Sequence, residues 1–273
     1  MSLVRYFVLL GLCLYVLCLV GPVADLQSFI PTEIANARRF ALVVAHPDDE
    51  SLFFSPTLVG LISRGKQGHL IVFSTGNSEG LGPVREKEAK DSCQRLGIDR
   101  SRCLTLNVSG IQDDPRRWWP KENVSQVIEG YVRQWQIDLL ITFDDGGVSG
   151  HLNHRSLAMA MKHSLVHHRT LLVYELSTVS PVIKFTSIWN LFFTLIGFLP
   201  RLCRSFFSSL LPFLFSAPDG QRVLFVSSPS GYWTGLRAFH CHRSQMLWYR
   251  HIYTTLSRYM FINHLNKISV DND

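Results

Sequence analysis

The sequence predicts an α/β fold: a three-layer, Rossmann-like domain with a mostly parallel sheet, covering residues 38–262. Five short apolar runs rich in β-branched residues are typical of buried strands, and they lie at 40–45, 69–74, 103–107, 138–143 and 171–176. Helical segments are predicted between and after them, around 57–64, 84–96, 122–135 and 151–166. Strands that alternate with helices favour a parallel sheet with right-handed crossovers.

The helix predicted at 122–135 has the clearest pattern. Its apolar residues recur at the spacing of one helical face, and they are Val124, Val127, Ile128, Tyr131, Val132 and Trp135. The preceding helix at 84–96 is followed by Gly97, a residue type common just beyond a helix end. These two patterns set the helix boundaries.

The expected strand order is 3-2-1-4-5, in which strands 1 and 4 are neighbours. Their connections leave on opposite faces of the sheet, and ligands of such folds bind in the crevice created there. Polar clusters follow both strands: Ala-His-Pro-Asp-Asp-Glu at 45–50 and His-Leu-Asn-His at 151–154. The topology therefore predicts that the two clusters meet.

These clusters contain suitable ligands for a catalytic metal, which requires three protein ligands and one open position. His46, Asp49 and His154 can supply the three ligands, while Asp48 and His151 remain to move protons. A solvated Asp-Asp turn is the alternative, but the nearby histidines disfavour it. Zinc is the expected metal, although this donor set also accommodates iron, cobalt or manganese. No G-x-G-x-x-G follows strand 1, so no dinucleotide cofactor is expected.

Composition limits the possible partners. The chain has 273 residues and a net charge of +6. Its basic residues are dispersed, which argues against nucleic acid and favours an anionic lipid surface and a phosphate-bearing substrate. Six cysteines without a C-x-x-C pair indicate unpaired structural thiols in a reduced compartment.

The N-terminal residues 1–24 are expected to form a membrane anchor. Residues 6–23 are apolar and uncharged, just long enough to span a bilayer. The alternative is a cleaved signal peptide, but its best cleavage site would place Pro22 at a small-residue position, which is a poor fit.

A second hydrophobic region, residues 183–216, is expected to associate with the membrane. It consists of two apolar pieces, 188–199 and 206–215, each shorter than the roughly 20 residues of a spanning helix. Shallow insertion, with Arg201 and Arg204 at the headgroups, fits this pattern. Two buried core helices are the alternative.

Over residues 38–262 the chain resembles the LmbE-like de-N-acetylases, and within them the eukaryotic PIG-L branch. Beyond the two clusters, the resemblance rests on Phe53-Phe-Ser-Pro-Thr57, Ser74-Thr-Gly-Asn77, the Arg85…Glu88 pair, Asp113-Asp-Pro115, Thr142-Phe-Asp144, Gly146-Gly-Val-Ser-Gly150 and Cys241-His-Arg-Ser-Gln245. Bacterial members usually have His-Pro-Asp-His where this chain has His-Leu-Asn-His. A carboxylate at position 153 is expected to lie within reach of the His151 imidazole.

The resemblance implies hydrolysis of the N-acetyl group of N-acetylglucosaminyl-phosphatidylinositol, the second step of glycosylphosphatidylinositol (GPI) anchor synthesis. It further implies a single-pass protein of the endoplasmic reticulum membrane whose catalytic domain faces the cytosol. Asp48 would act as the general base, and a protonated His151 would stabilise the oxyanion.

Two further residues are expected to bind substrate. The resemblance implies that Arg85 contacts the substrate phosphate, with an ordinary ion pair to Glu88 as the alternative. Asp114 is expected to bind sugar hydroxyls, with a loop cap as the alternative. His242 is expected to be structural.

Two other functions remain open from the sequence. One is de-N-acetylation of another N-acetylglucosamine conjugate, which would need no hydrophobic 183–216 region. The other is a non-catalytic binding protein on the same fold, which the complete ligand set and candidate base disfavour.

Overall fold

The computed structural model describes residues 30–165, 171–191, 193–198 and 221–268. The predicted anchor at 1–24 and the apolar piece at 206–215 lie outside these ranges. Within them, no helix combines the length and the apolar character needed to cross a bilayer.

A seven-stranded sheet forms the centre of the fold. Its strands are β1 (Arg39–Val44), β2 (Gln67–Val72), β3 (Cys103–Thr105), β4 (Leu139–Phe143), β5 (Leu172–Leu176), β6 (Arg222–Val226) and β7 (Ile262–Lys267). Their spatial order is β3-β2-β1-β4-β5-β7-β6. The first five strands are parallel, which confirms the predicted order 3-2-1-4-5, whereas β7 runs antiparallel to both β5 and β6. The last strand extends five residues beyond the predicted domain end at 262.

Helices cover both faces of this sheet. They are α1 (Thr32–Asn36), α2 (Asp49–Phe53), α3 (Ser55–Ser63), α4 (Gly82–Leu96), α5 (Lys121–Trp135), the single turn α6 (Gly147–Gly150), α7 (Leu152–Leu165), α8 (Pro181–Lys184), α9 (Pro229–Phe239) and α10 (Trp248–Leu256). Helices α5 and α7 pack together, and α9 packs against α3 and α4. The predicted three-layer architecture is therefore confirmed.

The structure explains the apolar pattern of α5 and the end of α4. In α5, Val124, Ile128 and Val132 are buried as one apolar stripe. Helix α4 ends before Gly97, whose φ of 89° is a left-handed conformation that glycine adopts without steric cost.

The central strand β1 determines where the site forms. Its last five residues are buried, as expected for a strand covered on both faces. It pairs with β4 through Phe40 and Leu139, among others. The two strands are parallel, so their carboxyl ends lie at the same edge of the sheet, and the loops after residues 44 and 143 meet there.

The first part of the hydrophobic region is amphipathic. Leu191 and Phe198 are buried against Leu224 of β6 and Ile262 of β7. Other apolar residues of this segment are exposed, namely Ile183, Phe185, Trp189, Phe193 and Ile196, as is the preceding Val182. This segment therefore packs against the core with some of its apolar side chains and exposes the others.

Two cysteines are paired. Cys93 in α4 and Cys103 in β3 form a disulfide, with their Cα atoms 6.4 Å apart. The expectation that all structural thiols are unpaired is therefore wrong for this pair, because the α4–β3 connection folds back and brings the two side chains together. Cys241 is a free thiol.

Candidate metal centre and active site

The first candidate ligands lie in the loop that leaves β1. His46 follows the strand, and Asp49 begins α2. The Oδ2 atom of Asp49 accepts hydrogen bonds from the backbone N–H groups of Ala45 at 3.1 Å and His46 at 2.9 Å. The loop backbone therefore fixes the carboxylate, which is buried.

His154, in the first turn of α7, supplies the third candidate ligand. Its Nδ1 lies 3.0 Å from the carbonyl oxygen of Gly147. A carbonyl can only accept, so Nδ1 carries the proton and Nε2 offers its lone pair. Gly147 is required here: its φ is +56°, and a Cβ atom would lie 2.8 Å from the His154 Cβ.

The three side chains converge on one point. The Nε2 atom of His154 lies 3.3 Å from the Nδ1 atom of His46 and 3.3 Å from Oδ2 of Asp49, and the latter two atoms are 3.6 Å apart. Ligands at about 2.0–2.2 Å around a tetrahedral zinc ion are spaced by about 3.3–3.6 Å. This spacing is compatible with one metal ion between His46, Asp49 and His154, and ligand atoms of His46, His151 and His154 also lie within 4.8 Å of one another.

A second set of contacts orients His46. Its Nε2 lies 3.1 Å from Oδ1 of Asp113 and 3.2 Å from Oδ1 of Asn153. Both oxygens accept, so Nε2 carries the proton and Nδ1 faces the metal position. Carboxylate partners of this kind fix the orientation of metal-binding histidines.

The same contacts determine the charge of His46. Burial alone would lower its pKa, but hydrogen bonds with Asp113 and Asp49 more than offset this and raise the pKa to about 10. Burial likewise opposes ionisation of Asp49, yet His154 and His46 hold the pKa of that carboxyl well below its usual range. A metal ion held at His46 would have to compete with a proton on that ring.

Asp48, the expected base, lies beside the metal ligands in a strained backbone conformation. Its φ is 122°, its N–H donates to Oε2 of Glu50 at 3.1 Å, and its Oδ2 lies 3.0 Å from Nη2 of Arg250. Burial raises the pKa of Asp48 to about 6, while the Arg250 cation opposes this shift. A carboxyl with this pKa is ionised near neutral pH and can still accept a proton.

His151 adjoins the same centre. Its ring lies 4.7 Å from the His46 ring and 5.0 Å from the His154 ring. Burial, and next the neighbouring His46 and His154 side chains, lowers the pKa of His151 to about 4. This disfavours the protonated His151 expected from the sequence and leaves a neutral imidazole.

The structure places Asn153 differently from the expectation. Its amide oxygen faces His46, and its Nδ2 donates to the carbonyl oxygens of Asp114 and Arg117, each at 3.1 Å. The side chain is therefore a partner of His46, not of His151. Only the backbone N–H of Asn153 reaches His151, at Nδ1 and 3.3 Å.

Asp113, not Asp114, is the acid of its loop that reaches the metal centre. The Asp114 carboxylate accepts the backbone N–H of Arg116 at 2.9 Å and so caps a turn. The sequence indicated the adjacent pair Asp113-Asp114, but an irregular loop has no regular repeat from which to predict which of the two carboxylates faces inward.

Arg85 does not form the ordinary ion pair with Glu88. Glu88 instead accepts the backbone N–H of Ser244 at 2.8 Å and its hydroxyl at 2.6 Å. Arg85 makes only a long contact of 3.8 Å with Glu79, and its Nε is buried without a hydrogen-bond partner among the described residues.

The C-terminal part of the chain supports the first cluster, a role that sequence reasoning did not assign. His242 Nε2 lies 2.6 Å from Oε1 of Glu50, and both side chains are fully buried. His242 is structural, as expected, but through a buried ion pair. The Cys241-His-Arg-Ser-Gln245 motif was the only signal, because no spacing rule connects positions 50 and 242.

Comparisons with known proteins show to which family the chain belongs. The PIG-L family model, described as GlcNAc-PI de-N-acetylase, matches residues 41–165. The N-acetylglucosaminyl-phosphatidylinositol de-N-acetylase of Bos taurus is 38% identical over 232 residues, covering 85% of this chain and 84% of the relative. The protein of that name from Saccharomyces cerevisiae is 28% identical over 263 residues, covering 88% and 84%.

Two solved structures share the fold. The N,N'-diacetylchitobiose deacetylase of Pyrococcus horikoshii superposes with a TM-score of 0.56 at 16% identity, covering 93% of this chain and 91% of the other. A deacetylase in complex with teicoplanin superposes with a TM-score of 0.58 at 12% identity, covering 86% and 100%.

Fold and site together define a Rossmann-like protein in which His46, Asp49 and His154 converge beside Asp48 at the carboxyl edge of the parallel strands. The chain belongs to the PIG-L family of N-acetylglucosaminyl-phosphatidylinositol de-N-acetylases.

Proposed function

We propose that this protein hydrolyses the N-acetyl group of N-acetylglucosaminyl-phosphatidylinositol, which yields glucosaminyl-phosphatidylinositol and acetate, the second step of GPI-anchor synthesis. The observation that carries the proposal is the convergence of His46, Asp49 and His154 beside Asp48. It occurs in a chain 38% identical to a relative named for this activity.

The proposed cofactor is a divalent metal, with zinc preferred for two imidazoles and one carboxylate. His46, Asp49 and His154 would hold it. When bound, such an ion polarises a carbonyl and lowers the pKa of water.

Asp48 is the proposed general base. It takes the proton of the attacking water as oxygen adds to the acetamide carbon, and it can return that proton to the departing amine. Arg250, 3.0 Å away, stabilises the ionised carboxylate before the reaction. The Glu50 carboxylate accepts the backbone N–H of Asp48 and so holds that backbone in place.

His151 is proposed to act as a neutral hydrogen-bond donor, in place of the cation expected from the sequence. Its Nδ1 accepts the N–H of Asn153, so the proton lies on Nε2. This N–H can donate to the carbonyl oxygen as negative charge develops there.

Arg85 is proposed to bind the substrate phosphate. Among the described residues, the Arg85 guanidinium has an unused buried N–H and only a 3.8 Å contact with Glu79, which suits a bidentate phosphate contact. Asp114 as a ligand of sugar hydroxyls stays a prediction, since its carboxylate has a loop-capping role.

The proposed location is the endoplasmic reticulum membrane, with residues 1–24 as a single-pass anchor and the catalytic domain facing the cytosol. The apolar run at 6–23 supports the anchor. Disulfides are rare in the reducing cytosol, so the Cys93–Cys103 disulfide argues against this orientation. A free-thiol count on Cys93 and Cys103 in protein extracted under alkylating conditions decides it: free thiols would support a cytosolic domain, and an intact disulfide would refute it.

The activity itself is tested with the purified full-length protein and N-acetylglucosaminyl-phosphatidylinositol in detergent. We expect equimolar acetate and free amine, loss of turnover with a chelator, and recovery with added zinc. Asp48→Asn should be inactive, whereas Asp99→Asn, which changes an exposed acid of the α4–β3 connection, should retain activity. Turnover by Asp48→Asn equal to wild type would refute the proposed base.

A further inference from the structure

Helix α10 exposes large apolar side chains. Trp248 is 76% exposed, and Leu247, Tyr249, Ile252 and Leu256 are also exposed. Among the helix residues, only Thr254 is buried. Exposed apolar residues in such a concentration mark an interaction surface in a folded protein.

The segment at 181–189 lies beside α10 and continues this surface. The hydroxyl of Ser187 donates to the carbonyl oxygen of Thr255 at 3.0 Å, and the rings of Phe185 and Tyr253 lie 6.0 Å apart. This segment exposes Val182, at 80%, as well as Ile183 and Trp189. We refer to residues 181–189 and 247–256 together as the α8–α10 surface.

The charge of the chain indicates what this surface contacts. Residues 176–273 contain nine Lys and Arg but three Asp, whereas residues 1–175 contain eighteen basic and eighteen acidic residues. The entire net charge of +6 therefore belongs to the C-terminal third. The α8–α10 surface itself contains Lys184 and Arg250 and no acidic residue.

The surface also adjoins the active site. Arg250 of α10 contacts Asp48 at 3.0 Å. A phosphatidylinositol glycolipid has its sugar at the headgroup and its acyl chains in the bilayer. An enzyme acting on that sugar gains access to it if the surface next to its catalytic base lies on the membrane.

We propose that the α8–α10 surface docks on an anionic phospholipid bilayer, with Trp248 and Ile252 inserted at the headgroup level. Tryptophan and tyrosine favour that level of a membrane, and amphipathic segments with basic residues bind anionic lipid there. This inference rests on the proposed function and adds the side of the enzyme that faces the membrane.

The principal test compares two substrates with the full-length protein. One is N-acetylglucosaminyl-phosphatidylinositol in vesicles that contain phosphatidylserine, and the other is N-acetylglucosaminyl-phosphoinositol without acyl chains. In the double variant Trp248→Ser/Ile252→Ser, kcat/KM on vesicles should fall by about tenfold or more, since two apolar anchors are lost, while kcat/KM on the soluble substrate should not change. The matched control Met159→Ser alters an exposed apolar residue of α7 and should leave both values unchanged.

A direct measurement uses vesicles containing brominated phosphatidylcholine, which quenches tryptophan at the headgroup–acyl boundary. Wild-type fluorescence should be quenched, and Trp248→Phe should lose part of that quenching. Absence of any difference would overturn the proposal, even if neither substrate is turned over and the proposed function itself fails.

Other occupants of the surface give different results. A covering segment of this chain would make the double variant less stable and less active on both substrates. If a second copy of the chain covered the surface, the double variant would have the particle mass of a monomer in detergent, and the wild type would have a larger one. Either result would overturn the docking proposal while leaving the hydrolytic function intact.

Discussion

His242→Leu tests how strongly the C-terminal part of the chain supports the active site. In the wild type, His242 and Glu50 form a fully buried ion pair at 2.6 Å. Burial opposes both charges, yet each partner favours the other, so the pKa of Glu50 is lowered and that of His242 is raised. The substitution leaves the Glu50 carboxylate buried, and its remaining hydrogen-bond partners among the described residues are Ser92 and the Asp48 N–H.

The expected cost is about 3–5 kcal/mol of unfolding free energy, the usual effect of removing one partner from a buried pair. For a domain of this size that corresponds to a melting temperature lower by roughly 6–20 °C. The contribution of Glu50 is present above its ordinary pKa of 4.5 and is lost as the pH falls through its lowered folded value. That of His242 is complete below 6.5 and is lost as the pH rises through its raised folded value. The difference from wild type should therefore be largest between these two ordinary values.

Thermal and denaturant unfolding across this pH range measure the effect. His240→Leu is the control, because His240 belongs to the same segment and is exposed, so it should cost at most about 0.5 kcal/mol. Glu50→Gln combined with His242→Leu removes the uncompensated charge and should restore part of the stability. A loss of unfolding free energy below about 1 kcal/mol in His242→Leu would refute the reasoning, since a buried carboxylate without its charged partner should cost more than that.

Three predictions concern the metal centre itself. Asp49→Ala should lose bound metal, whereas Asp48→Ala should keep it and lose turnover by about 10²–10⁴-fold; equal metal loss by elemental analysis would contradict these roles. In Arg250→Gln the pKa of Asp48 should rise, because the opposing cation is gone. The acidic limb of the pH–kcat profile should then move to higher pH. If the limb does not move, Asp48 is not the base whose titration limits kcat. Asn153→Asp places a carboxylate against His46 and should raise its pKa further. The variant should then retain metal only at a higher pH than the wild type, as measured against pH at a fixed metal concentration. A retention curve identical to that of the wild type would show that Asn153 does not influence His46.

The parallel half of the fold was predictable because its signals are local. Strands β1 and β4 are mostly apolar and buried, β2 ends in a buried apolar run, and the pattern of α5 repeats at helical spacing. The meeting of the loops after β1 and β4 was also predictable, since the switch point between these strands depends only on strand order.

The antiparallel part was not predictable in this way. Strand β7 pairs with β5 across about ninety residues, through Leu176 and Leu265 for example. Its sequence, Ile262–Lys267, includes asparagine, histidine and lysine and has no continuous apolar run. Such pairing depends on tertiary packing, which a reading of local patterns does not include.

Site residues contributed by distant segments were missed for the same reason. Arg250 contacts Asp48 and His242 contacts Glu50, but neither pairing follows from periodicity. Asp113 and Asp114 differ only in the direction of their side chains, which an irregular loop conformation determines. The pKa of His151 likewise depends on burial and neighbouring charge.

The position of β7 between β5 and β6 has a consequence during protein synthesis. Strand β6 cannot join the sheet through its native partner until β7 has been made. Arg250 and His242 lie in the connection between these two strands, so the base and its support assemble only when the polypeptide has left the ribosome through about residue 267. A nascent chain that already contains His46, Asp49 and His154 therefore still lacks Arg250 and His242, and a product of termination between residues 154 and 242 would have neither contact that supports Asp48 and Glu50.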